Sequence, residues 1–313
     1  MKHMGSLIVL LSGLAVTLAA WLLLGALTEE ASESRFVQEC SLLNNRMQTQ
    51  LDQQTLMLRG LETALASYVD IVRDVFEITA SVPGNSQPGI KSIGYASFVL
   101  QKELTSYVDY VRRSAYPGFY VHPKGLRESY LPIEYEVLRN ESGSLLGLDL
   151  LTILPIEKAM DTTQTIHVVD LAVDSAENAS PHNTMLSLSV RSQPAPIGSR
   201  GTCFVILDPR ALLASALMYS YDSSRIAFAV TNSGTDHRVM FSPASMSEST
   251  MVHYDSLSIG DAVWQVEYRA RSSVFQSENQ DLPSFLLIVG IIFTTIIFIL
   301  IRIVEKRFFS RSK

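Results

Sequence analysis

Two stretches of this chain carry no charge at all. Gly5 to Leu27 (GSLIVLLSGLAVTLAAWLLLGAL) is an apolar run of 23 residues, and Leu282 to Ile301 (LPSFLLIVGIIFTTIIFILI) is one of 20. As helices, each is long enough to cross a hydrocarbon core of about 30 Å with its backbone polar groups satisfied internally. The first run exceeds the usual apolar length of a cleaved signal peptide, roughly 7–15 residues, and is read as a retained anchor, a cleaved signal being the alternative.

Between the runs the periodicity changes twice. Residues 31–79 contain no proline and fit a heptad grid: Phe36, Cys40, Leu43, Met47, Gln50, Gln54, Met57, Leu61, Ala64, Tyr68, Ile71 and Val75. Only Gln50 and Gln54 on that grid are polar. The pattern predicts one long helix with a seam, serving as a stalk that pairs with a second copy or as the spine of its own domain. Ser81-Val-Pro-Gly-Asn-Ser-Gln-Pro-Gly should end it.

Beyond Ile90 short apolar segments alternate with amphipathic ones. Strands are expected at 95–99, 119–121, 130–138, 166–173, 184–190, 202–207, 226–230, 238–241 and 262–269. Helices are expected at 103–115, 155–160 and 210–218. Strand, helix, then several strands, occurring twice, predicts two small α/β modules in tandem.

Composition sharpens this picture. The chain is 47% hydrophobic and 18% charged, with mean hydropathy +0.18, against about 25% charged for an ordinary soluble chain. That excludes a disordered chain and argues against a simple cytosolic enzyme. Five of the last twelve residues are basic (Arg302, Lys306, Arg307, Arg311, Lys313), whereas Glu29 and Glu30 follow the first run. The positive-inside rule then places both termini in the cytoplasm and residues 28–281 outside. With Lys2 and the tail set aside, 19 basic and 30 acidic residues remain, a net charge of −11. Such a domain should avoid nucleic acid.

Candidate chemistry is sparse. No phosphate-binding glycine loop, dinucleotide fingerprint or nucleophile elbow is present. Six histidines (His3, His122, His167, His182, His237, His253) form no ligand pair, so neither a metal nor another cofactor is expected. Nothing points to an enzyme. Cys40 and Cys203 both fall on the outer side, where a disulfide between them and two buried thiols are equally open readings. Asn140-Glu-Ser and Asn178-Ala-Ser match the glycosylation acceptor pattern.

Five segments, in order, resemble the CHASE domain, the extracytoplasmic sensor of many histidine kinases and nucleotide cyclases. They are Gly94-Tyr-Ala-Ser-Phe-Val, Gly118-Phe-Tyr-Val-His-Pro, Tyr130-Leu-Pro-Ile-Glu-Tyr, Gly147-Leu-Asp-Leu and Ala159-Met-Asp-Thr-Thr. The likeness covers residues 90–175 well and weakens toward 220. Ser97 and Phe98 depart from it where the family often has Pro-Arg, and Thr163 where it has glycine. The resemblance implies an α+β fold: two transmembrane helices flanking a long stalk helix and tandem PAS-like α/β modules, the membrane-distal one holding a small-molecule pocket. The implied division is 1–27 first span, 28–82 stalk, 83–200 distal module, 201–281 proximal module, 282–301 second span and 302–313 basic tail. Carried over by position, Glu128, Tyr130, Pro132, Tyr135, Asp149 and Thr162 become ligand-contact candidates. For Asp149 the residue chemistry favours capping a turn. The expected protein is a two-pass inner-membrane sensor, homodimeric, that binds a small molecule and signals through a cytoplasmic or membrane partner. A non-enzymatic scaffold of an envelope complex is the alternative.

Overall fold

The computed structural model describes residues 4–68, 71–138, 144–159, 165–171, 183–191, 200–218, 222, 225–232, 239–242, 249–275 and 282–310. The expectations at Thr162, Asn140, Asn178, His3, His182 and His237 lie outside these residues. Two bodies are distinguished: residues 1–40, 246–253 and 269–313, and residues 41–245 and 254–268.

Helix α1 (Met4–Ala66) is a single 63-residue helix. Its deeply buried positions are Phe36, Cys40, Leu43, Met47, Leu51, Gln54, Leu58, Leu61 and Leu65. Their mean spacing is about 3.6 residues, the period of a straight α-helix, and a heptad seam drifts off such a helix by about 20° per repeat. The heptad grid therefore slips from Gln50, Met57 and Ala64 to Leu51, Leu58 and Leu65. The stripe is buried within its own chain, which makes α1 a spine. The expected helix to residue 79 is interrupted: backbone amides of Ser67 and Tyr68 close on the carbonyls of Ala64 and Leu65, and α2 (Arg73–Ser86) starts afresh. It runs past the expected stop at Ser81, with Pro83 and Gly84 in its last turn.

Next come β1 (Ile90–Ser97), β2 (Val99–Leu100), α3 (Leu104–Ser114), β3 (Ser129–Tyr130), β4 (Ile133–Leu138), α4 (Ile156–Ala159), β5 (His167–Leu171), β6 (Asn183–Arg191) and β7 (Arg200–Leu207). Then follow α5 (Pro209–Leu217), β8 (Ile226–Asn232), β9 (Val239–Phe241), β10 (Met251–Ile259), β11 (Ala262–Ala270), α6 (Ser272–Phe275) and α7 (Leu282–Ser310). The strand expected at 119–121 does not form; the nearby chain makes a single bridge, His122 to Leu148. β10 is a strand that the sequence pattern missed.

A five-stranded sheet has the order β4-β1-β7-β6-β5, and a four-stranded sheet the order β10-β11-β8-β9. Numbered within each sheet, these are windings 2-1-5-4-3 and, read from the other edge, 2-1-4-3. The two sheets share one topology, the second lacking one strand. α5 links them. Asp208 caps it by accepting from the amides of Arg210 and Ala211, and Pro209 fills the first turn. On β11, Trp264, Val266, Tyr268 and Ala270 alternate into the core. The edge strand β10 is closed by α1: the Gln48 amide donates to the Ser258 carbonyl at 2.9 Å and accepts from the Ser258 N–H at 2.8 Å. That is the ladder contact a further strand would make.

By length and composition α1 and α7 each contain a segment able to cross a membrane. They meet through two Gly-x-x-x-Thr pairs. A Cβ on Gly13 would lie 2.5 Å from the Thr294 methyl, and one on Gly290 would lie 2.4 Å from the Thr17 methyl. Both threonine hydroxyls bond back to the glycine carbonyl four residues earlier, at 2.9 and 2.8 Å. This is the small-residue packing that brings helix backbones together in lipid. Cys40 and Cys203 are both buried and are not joined by a disulfide.

Candidate functional site

The site is built on β1 and β4. Their register slips between Tyr95 and Ala96, which pair with Tyr135 and Ile133, leaving Glu134 as an extra residue in a bulge. Ile133 and Tyr135 would share a face of a regular strand. The bulge sends them to opposite faces, because Tyr95 and Ala96 point to opposite faces.

One face is apolar. Ala96, Ile133, Phe204, Ile206 and Met185 form its floor, with Leu131, Leu150 and Leu154 buried against them. The segment 144–154 covers it, contributing Leu145, Leu146, Leu148 and Leu151. Glu136 ties that cover down, its carboxylate accepting from the Leu145 amide at 2.8 Å and the Ser144 hydroxyl at 3.1 Å. Burial raises the Glu136 pKa, and these hydrogen bonds act against the shift. Gly94 is required in the floor: a Cβ there would sit 2.1 Å from the Phe204 ring.

Asp149 anchors the start of the cover. It is fully buried, accepts from the amides of Leu131 (2.8 Å) and Leu151 (3.1 Å), and pairs with the Arg127 guanidinium at 2.8 Å. Both oxygens are thus engaged in capping a turn and fixing a strand. Pro132 bridges to Asp149, and its carbonyl accepts from the Ser97 amide. The Tyr130 hydroxyl donates toward Gln101 Oε1 (2.6 Å) or the Gly125 carbonyl (2.7 Å) and accepts from the Arg127 amide. Tyr130, Pro132 and Asp149 are therefore brought together. Glu128 is exposed, its backbone carbonyl held by the Gln101 amide. Tyr135 lies on the other face, stacked between Phe76 and Tyr95.

That other face holds a group the sequence reading missed. Glu134 is 5% exposed. Its carboxylate accepts a very short hydrogen bond from the Ser97 hydroxyl and one of 3.2 Å from Tyr107 on α3, and it is also bonded to Tyr135. Burial raises the Glu134 pKa, opposed by these three hydroxyls. Burial, then the Glu134 charge, pushes the phenols of Tyr95, Tyr107 and Tyr135 above their ordinary value. All three remain protonated.

Among the described residues no group of three or more His, Cys, Asp or Glu is placed to hold a metal. A cleft of about 640 Å³ lies in the first body, lined by Thr28, Glu29, Ser32, Glu33, Phe36 and His253 among others. It is remote in sequence from the five segments that carry the family likeness.

The fold has solved counterparts. The periplasmic sensory domain of the Campylobacter jejuni chemoreceptor Tlp1 aligns with TM-score 0.53 at 10% identity, over 80% of this chain and 99% of that one. The ligand-binding domain of the Pseudomonas aeruginosa amino acid chemoreceptor PctC, solved with GABA, aligns with TM-score 0.46 at 12% identity, over 76% and 99%. The first shows a shared sensory-domain fold. No curated protein sequence matches this chain. The CHASE domain family model matches residues 71–241, which takes in both faces of the five-stranded sheet, the cover segment and the bulge. The chain belongs to the CHASE domain family.

Proposed function

We propose that this protein is a membrane-anchored extracytoplasmic sensor, with a small-molecule site between the apolar face of the five-stranded sheet and its 144–154 cover. The observation that carries the reading is that covered face, lying inside the CHASE match. The shared winding of the two sheets supports two related modules. The paired apolar helices and the basic tail support two spans with both termini in the cytoplasm. Output then passes to a cytoplasmic or membrane partner. Pairing with a second copy would use a face other than the buried α1 stripe. In this reading Tyr130, Pro132 and Asp149 shape the wall, Glu128 and Thr162 are further ligand contacts, and Tyr135 acts from behind the sheet.

The ligand is apolar over much of its surface, because the floor is. A panel of amino acids, amines, short carboxylates and nucleobase derivatives, screened for a saturable rise in melting temperature of the detergent-solubilised full chain, tests the site. At least one compound should stabilise the wild type and lose about tenfold or more in affinity in Ala96→Leu, which narrows the floor. Stabilisation unaffected by Ala96→Leu would place the ligand elsewhere. A second reading, a scaffold that binds protein, is favoured by the Phe204 ring already lying against Gly94. No stabilisation by any compound would favour it.

A further inference from the structure

The turn between β10 and β11 makes several polar contacts with a different part of the chain. Gly260 has φ +54°, and a Cβ there would lie 2.3 Å from the Ile166 carbonyl oxygen. The Asp261 amide donates to that carbonyl at 2.9 Å. Asp261 Oδ1 accepts from the Val168 amide at 2.8 Å, and Oδ2 from Lys158 Nζ at 2.7 Å and His167 Nδ1 at 2.8 Å.

These partners have a common location. Ile166 immediately precedes β5 and His167 and Val168 open it, at the edge of the five-stranded sheet, and the Asp261 carboxylate supplies the acceptor that a neighbouring strand would offer to Val168. Lys158 sits on α4, the short helix that follows the 144–154 cover, immediately before the Ala159-Met-Asp-Thr-Thr stretch. On the other side of the turn, Asp261 leads directly into β11, after which the chain continues to α6 and α7. A single carboxylate, just before a strand of one sheet, thus holds the edge of the other sheet and the helix that follows that sheet's cover.

We propose that the Gly260–Asp261 turn is a joint coupling the cover segment of the five-stranded sheet to β11, with Lys158 and His167 as the grips on its distal side. Its ligand input rests on the sensor reading above; the joint itself does not. The Lys158 grip is suited to being released, while His167 is buried and holds more firmly. Lys158 is 43% exposed and Asp261 24% exposed, so the ion pair is partly solvated and opens at modest cost. The backbone pair from Asp261 to Ile166 and the glycine contact beneath it keep the turn in place when the grips let go. A ligand that draws α4 toward the sheet need favour one grip geometry only modestly to shift the population.

Hydrogen–deuterium exchange on the detergent-solubilised full chain tests this without a ligand. Lys158→Met removes an exposed grip without touching the four-stranded sheet. It should raise amide exchange in β11 roughly three- to tenfold, besides its local effect on α4. Asp261→Ala should do the reverse, raising exchange in 156–168 by a similar factor. The double variant should exceed the larger single effect by little, since both break the same contact. Exchange in β1 and β7 serves as the folding control, and His167→Gln gives a third, milder break should Asp261→Ala fail to fold. Changes confined to each variant's own segment, or effects that add in the double variant, overturn the joint. Failure to find any ligand leaves it standing, and a ligand found alongside additive variants overturns the joint alone.

Discussion

Replacing Glu134 with glutamine should flatten the pH dependence of stability that this carboxyl imposes. Glu134 is buried with Ser97, Tyr107 and Tyr135 donating to it, and burial lifts its pKa above 4.5 in spite of them. In the unfolded chain it titrates near 4.5. Between that value and the raised folded value the native state holds a proton that the unfolded state has released. The stabilisation associated with this group is therefore complete below 4.5 and is lost as pH rises through the folded pKa. Each pH unit inside that window removes about 1.4 kcal/mol, which for a domain of this size corresponds to roughly 3–6 °C in melting temperature. Glutamine has nearly the same shape and no charge. The hydroxyls can turn to suit an amide, so its cost at neutral pH should be within about 1 kcal/mol. The assay is the melting temperature of full-length wild type and Glu134→Gln, followed by intrinsic tryptophan fluorescence through the buried Trp264, from pH 4 to 8. The wild type should fall relative to the variant as pH rises from 4.5. A difference between the two that stays constant across that range would refute the reasoning. Asp261 gives the opposite sign. Burial would raise it, but hydrogen bonds from His167, Lys158 and Val168 prevail and hold it below 3.8, so its stabilisation is present above 3.8 and is lost as pH falls through its lower folded value.

Other outcomes follow from close contacts. Gly94→Val should destabilise by about 1–3 kcal/mol by driving a side chain into the Phe204 ring, measured by the same melts, and Phe204→Leu should recover part of the loss. Asp149→Asn should cost about 3 kcal/mol, because it keeps the acceptor for Leu131 and Leu151 but leaves Arg127 without its anion and turns an amide donor toward the guanidinium; a loss within 0.5 kcal/mol, taken as about the scatter of a surface change, would show that the ion pair is dispensable. Gly290→Leu should part α7 from Thr17. Cross-linking between cysteines introduced near the outer ends of α1 and α7 should then drop several-fold, while exchange in the five-stranded sheet stays unchanged.

Much of the architecture was legible because local rules and tertiary packing agree there. The apolar runs, the amphipathic α3 and the Asp208-Pro209 start of α5 each satisfy their own segment's chemistry, so periodicity and capping suffice to find them. β10 escaped notice for a physical reason. Its inward positions include His253 and Asp255 alongside Met251, Leu257 and Ile259, so hydropathy does not alternate although the side chains do. The α1 stripe was located to within a residue, and the error came from choosing the period of a supercoil for a helix that packs on its own domain.

The candidate site shows where pattern reading must fail. Ile133-Glu-Tyr-Glu-Val alternates cleanly, and an alternating strand reads as apolar residues inward and both glutamates outward. One bulged residue reverses that for half the strand. Ile133 keeps the apolar floor, Tyr135 crosses to the α2 side, and Glu134 is buried beside Ser97 and Tyr107. The bulge is set by the pairing of β4 with β1, a contact between residues about forty apart, and no feature within β4 announces it. Ser97 and Phe98 stand where the resemblance to the family expects Pro-Arg, and read alone Ser97 is a departure from it. Beside Glu134 it is the donor that makes a buried carboxylate tolerable.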